Sequence, residues 1–150
     1  MNEEIRAQEP KNLWNNFVNL NEVPRPSKKE ERVIEFIKNF GKRLKFETIV
    51  DKVGNVIIKK PATKGMENRK PVVLQSHLDM VHQKNSSTSF NFDTQGIDMF
   101  IDGDWVRAKG TTLGADNGLG VASIMAILES DTIEHPALEA LFTIDEETGM

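Results

Sequence analysis

His77 and Asp79 stand two residues apart in the stretch Pro71-Val72-Val73-Leu74-Gln75-Ser76-His77-Leu78-Asp79-Met80. In an extended chain such residues face the same side, so an imidazole and a carboxylate share one surface. That pairing suits a metal ligand whose other ring nitrogen is held by an acid. Two further acidic groups add to it. Asp116 lies in Gly114-Ala115-Asp116-Asn117-Gly118, between a polar loop and an apolar helix, and Asp145-Glu146-Glu147 directly follows Ala140-Leu141-Phe142-Thr143-Ile144. Imidazole and carboxylate are hard or borderline donors that divalent cations accept. Two cations held close together can share a water and clamp both oxygens of a hydrolytic transition state. Such a pair needs a bridging carboxylate, terminal ligands, and a free carboxylate to take the water's proton, and the adjacent Glu146 and Glu147 can divide the last two roles. Each motif also has a plain reading: a His-x-Asp triplet at a strand end, a glycine-rich linker, a solvated acidic turn. A P-loop is excluded for the glycine-dense stretch 109–120, because no Gly-Lys-Ser/Thr follows it.

The elements that must position these residues can be read from periodicity. Val72 to Leu74 reads as a buried strand covered on both faces, and ligands in open α/β sheets sit just past the carboxyl ends of strands. Residues 1–10 read as a frayed polar lead. Leu13, Trp14, Phe17, Val18 and Leu20 recur at helical spacing and predict an amphipathic helix over about 11–20. Pro24-Arg25-Pro26 then forces an extended segment, in which Arg25 reads as a solvated loop residue. Ser27 and Glu30 have the spacing of a capping box, opening a helix that runs to about Leu44. Hairpins are predicted for 46–59 around Gly54 and for 97–108 around Gly103. The polar stretch 82–94 reads as a long loop, with His82 and Lys84 exposed. An apolar helix follows over 121–128, then a turn that includes His135 as a loop residue. A last strand spans 137–144, uncovered on at least one side. This order predicts an α/β fold with a mixed sheet and flanking helices.

The chain of 150 residues suffices for one domain's core. Its net charge of -4 and scattered basic residues argue against a nucleic-acid surface. The lack of cysteine excludes disulfides and thiolate metal sites and fits a cytoplasmic protein. No apolar stretch has the length to span a bilayer, and no signal peptide is visible at the start. An acidic cluster followed only by Thr148, Gly149 and Met150 suggests the N-terminal piece of something longer.

The words "EVPRPSKKEE" (22–31), "GNVIIKKPA" (54–62), "VLQSHLDMVHQKN" (73–85), "GTTLGADNGLGVA" (110–122) and "HPALEALFTIDEETGM" (135–150) resemble a family of zinc metallopeptidases. The family includes the aminoacylases, peptidase T and peptidase V, and the match is nearest to its aminoacyl-histidine dipeptidase branch. The resemblance implies that residues 1–150 are the N-terminal part of a metallopeptidase catalytic domain. It implies two divalent ions, zinc foremost and manganese or cobalt as alternatives, with His77 a terminal ligand, Asp116 the bridge and Glu147 a ligand of the second ion. Glu146 would be the general base, and Asp79 would steer an imidazole. It further implies a dipeptide substrate, Xaa-His among others, and a homo-oligomer. Ligands from sequence beyond position 150 would complete the site, so this stretch alone is expected to be inactive. An N-acyl amino acid deacylase of the same family and a non-catalytic binding or assembly module are the rival readings.

Overall fold

Two parallel strands set side by side hold the architecture together. In the computed structural model, which describes residues 2–149 and leaves Met1 and Met150 outside the described residues, β3 (Val72–His77) pairs in parallel with β6 (Leu138–Thr143). Their register aligns Val72 with Leu138 and His77 with Thr143, so both strands end at the same level. β6 also pairs antiparallel with β2 (Val56–Lys60), and β2 with β1 (Glu47–Val50), giving the order β1-β2-β6-β3. A separate hairpin joins β4 (Met99–Asp102) to β5 (Trp105–Ala108). The mixed sheet with flanking helices agrees with the α/β expectation.

A parallel pair needs a crossover, and the helix in it is α4 (Ala115–Glu129). This helix is apolar nearly all round because both its sides are covered. Val121, Ile124, Met125 and Leu128 pack toward the sheet with Val56, Ile58, Ala140 and Phe142. Ala122 joins Phe17, Val18, Met80 and Met99 on the other side, where α2 (Lys11–Asn21) lies. α3 (Glu31–Arg43) closes the first core with Val33, Ile37 and Phe40, at the spacing of one helical face.

Several expectations are corrected by tertiary packing. The lead is not frayed: Glu3–Arg6 forms a short helix, α1, whose Ile5 is wholly buried in the second core. α3 begins after Glu30 with no side-chain cap, because Ser27 and Glu30 are turned inward to other partners. β3 is an edge strand among the described residues, with Val72 and Val73 exposed and only Ser76 and His77 buried. β6, expected to be uncovered, is instead central and paired on both sides, since its neighbours come from residues some 65 to 85 positions earlier. Arg25 is buried, not solvated, and His135, in a loop as expected, is buried as well. His82 and Lys84 are exposed as expected.

Candidate metal centre

The aligned ends of β3 and β6 deliver the acidic and imidazole groups to one place. His77, the last residue of β3, is nearly buried, and its Nδ1 lies 3.1 Å from the Asp79 carbonyl oxygen and 3.3 Å from Asp79 Oδ1. A carbonyl can only accept, so Nδ1 is the donor on that side, and Nε2 faces the cluster. Nε2 is 3.1 Å from Asp116 Oδ1 and 3.6 Å from Glu146 Oε2. One ligand atom each from His77, Asp116 and Glu147 lies within 4.8 Å of the others. All five residues singled out in the sequence therefore meet at one sheet end.

Asp79 acts behind this surface. Its side chain is wholly buried, and its two oxygens accept the Glu146 and Glu147 backbone N–H groups at 3.1 Å each and the Ser27 hydroxyl at 2.7 Å. Burial acts to raise the Asp79 carboxyl, but these donors and the His77 ring outweigh it and hold the carboxyl below its ordinary value. One carboxylate thus fixes both the imidazole and the turn that carries the two glutamates, a 3₁₀ turn spanning Glu146–Thr148. A neighbouring group of Glu30, Asp79 and Asp145 is equally tight. Its oxygens are already engaged: Glu30 accepts the Asp145 N–H at 3.0 Å, and Asp145 pairs with Lys28 at 2.8 Å. That group is a brace beneath the turn.

Asp116 reaches the cluster from a bent start to α4. Asp116 and Asn117 have non-helical backbone angles, and the peptide bond between them is cis. The Ser76 hydroxyl donates to the Asn117 carbonyl at 3.2 Å, stitching this bend to β3. Gly120 permits the approach, since a Cβ there would strike the Asn117 side chain and lie 2.6 Å from Ser76 Oγ.

The donor set fits a divalent cation. Glu147 is pushed above its ordinary value by burial foremost, then by the charges of Asp116, Glu146 and Asp79, with His77 opposing. Among the described residues no Lys or Arg ion-pairs with Asp116, Glu146 or Glu147, and carboxylates crowded around one imidazole are a repulsion that a cation relieves. A nitrogen with two carboxylates is also a donor set divalent ions such as zinc accept.

Sequence reasoning missed Arg25, Ser27 and Glu30. Apart from the Arg25 bond to Asn21, the partners that matter are a carboxylate and backbone groups about 50 to 115 residues away, out of reach of any local pattern. The one available signal was Arg25 held between Pro24 and Pro26, a cation on a fixed backbone.

No protein-family model matches the chain. Over 98% of its length it is 50% identical to the cytosol non-specific dipeptidase of Escherichia coli, of which the match covers 30%. The crystal structure of aminoacylhistidine dipeptidase from Vibrio alginolyticus superposes on all of it with a TM-score of 0.96 and 50% identity, again over 31% of that chain. A tripeptidase structure from Staphylococcus aureus, 20% identical, shares the fold with a TM-score of 0.74 over 93% of this chain and 37% of its own. The chain thus spans about a third of the length of the relatives it matches.

Proposed function

We propose a function from one premise: along its whole length this chain is similar, in sequence and in fold, to aminoacylhistidine dipeptidase. It is the part of a metal-dependent dipeptidase that carries the general base and part of a metal centre. The observation behind this reading is the meeting of His77 Nε2 with Asp116 and Glu147 oxygens at the joint ends of β3 and β6. His77, Asp116 and Glu147 would hold divalent metal, zinc foremost, and by similarity to the relatives Asp116 would be the ligand shared with a second ion. When bound, the metal supplies Lewis-acid activation of water and of the scissile carbonyl.

The remaining roles fall to this chain's own groups. Glu146 lies 3.6 Å from His77 Nε2 and is exposed, so it can take a proton from a water at the cluster and pass it to the departing amine. Asp79 would hold His77 through Nδ1, which turns Nε2 toward the cluster to ligate. It also pins the amides of Glu146 and Glu147, so the base and its neighbour keep separate directions. Dipeptide specificity, including Xaa-His, is proposed by similarity to the relatives.

The experiment is a chimera in which this chain replaces the matching segment of the Escherichia coli relative. Hydrolysis of an Xaa-His dipeptide, lost together with bound metal on Asp116→Ala, is the expected result. Full metal content and full hydrolysis in the Asp116→Ala chimera would sink the reading.

A further inference from the structure

We infer that Arg25 is the positioning residue of this centre: its guanidinium sets the spacing between the strand end that carries His77 and the loop that carries Asp116. The inference rests on the metal-site reading above and adds a residue that touches neither metal nor substrate.

Arg25 is 1% exposed and reaches three segments at once. Nη1 donates to the Leu78 carbonyl at 3.0 Å, one residue past His77, with Asp79 O at 3.4 Å. Nη2 donates to the Gly114 carbonyl at 2.7 Å, two residues before Asp116, and to Asn21 Oδ1 at 2.9 Å. Asn21, at the end of α2, in turn donates from Nδ2 to the Leu113 carbonyl at 3.0 Å. One planar fork, anchored to α2, therefore ties the backbone after His77 to the backbone before Asp116. Two glycines make room for it. A Cβ at Gly114 would lie 2.5 Å from Nη2, and one at Gly118 would lie 2.7 Å from it.

The choice of arginine is costly unless the fork is used. Burial draws the group down to about 10, so it stays charged at neutral pH, and its acceptors are carbonyls and an amide in place of a carboxylate. An apolar side chain could fill the same space. A lysine would offer one point charge, where the fixed donor angles of guanidinium hold several acceptors in one geometry.

The test titrates zinc, in competition with a chromophoric chelator, into the 150-residue chain and its Arg25→Met, Arg25→Lys, Gly118→Ala and His77→Ala variants. Far-UV circular dichroism confirms that each is folded, and the nitrogen-15 resonance of His77 Nε2 is followed without metal. Arg25→Met is expected to weaken zinc binding by roughly ten-fold or more, as loss of outer support does at metal sites. It should also shift the His77 resonance, since the distance to Asp116 is released. Arg25→Lys should recover part of both. Gly118→Ala keeps Arg25 but crowds its guanidinium, so it should move both readouts in the same direction, and it decides the matter if Arg25→Met does not fold. Wild-type affinity and an unmoved resonance in a folded Arg25→Met or Gly118→Ala chain, with zinc lost in His77→Ala, would overturn the positioning role alone. Unchanged zinc binding in His77→Ala would overturn the metal site and the role of Arg25 with it.

Discussion

Glu146 and Glu147 are adjacent, yet their surroundings differ: Glu146 is exposed and lies 3.6 Å from His77 Nε2, while Glu147 is half-buried and raised by burial and by Asp116. A group that must shuttle a proton benefits from access, and a ligand benefits from a fixed, partly dry position. In the chimera, Glu146→Gln is therefore expected to retain metal and lower turnover by about two to four orders of magnitude, the usual range for a lost general base. Glu147→Gln should instead lower metal content, measured by elemental analysis of the same preparations. If Glu146→Gln strips the metal and Glu147→Gln leaves it, the two roles are exchanged. At this scale the sequence was informative wherever a residue type announced its chemistry. His77, Asp79, Asp116, Glu146 and Glu147 all lie at the cluster, though their roles remain proposals. It was uninformative for Arg25 and Ser27, whose importance comes from atoms they meet only after folding. The spacing of Ser27 and Glu30 even pointed to a helix cap, a local option that lost to the buried Asp79 and the Asp145 amide.

The helices and hairpins were legible because periodicity and turn glycines are local signals, and the β1–β2 turn shows how local the cause can be. Asp51 Oδ1 accepts the backbone N–H groups of Val53, Gly54 and Asn55 at 2.9 to 3.0 Å, and Oδ2 accepts the Asn55 side chain at 2.9 Å. Gly54 adopts φ +112, which other residues resist. The Asn55 side chain first, with the three amides adding to it, holds the Asp51 carboxyl below its ordinary value against the opposing effect of burial. A depressed folded value means that the stabilisation is present above the unfolded value and is lost as pH falls through the folded one. Asp51→Ala should thus melt below wild type at neutral pH, and the gap should close as the medium is acidified below the ordinary carboxylate range of about 4. A gap that stays constant from neutral to acid pH would show that the ionised carboxylate is not what holds the turn. α1 went unread for the opposite reason: four residues with one apolar side chain carry no period, and what orders them is tertiary, the pocket that takes Ile5 and the Arg6 contacts to Asn19 and Glu22.

For the whole molecule, the α/β class was legible and the strand order was not, because β6 takes its partners from distant chain segments and no composition encodes that choice. The corrected order moves the exposed edge from β6 to β3. It also bears on the chain by itself. Among the described residues the centre offers three ligand atoms within 4.8 Å, where zinc takes about four. The 150-residue chain alone is expected to bind zinc more weakly than the chimera and to leave an Xaa-His dipeptide uncut; turnover at the chimera's rate would refute this. The two sheet edges differ in how they resist pairing. β1 carries Glu47, ion-paired across to Lys59 at 3.3 Å, and is four residues long. β3 is six residues long, has no charged side chain before His77, and leaves Val73 57% exposed. Unpaired backbone along such a strand is a template for another strand, and a lysine is the usual guard against it. The isolated chain is therefore expected to associate with rising concentration through β3. Val73→Lys, which changes no buried contact, should shift sedimentation toward monomer without lowering the melting temperature. Association that persists in Val73→Lys and falls in a lysine variant at the exposed Ile49 of β1 would place the contact on the other edge of the sheet.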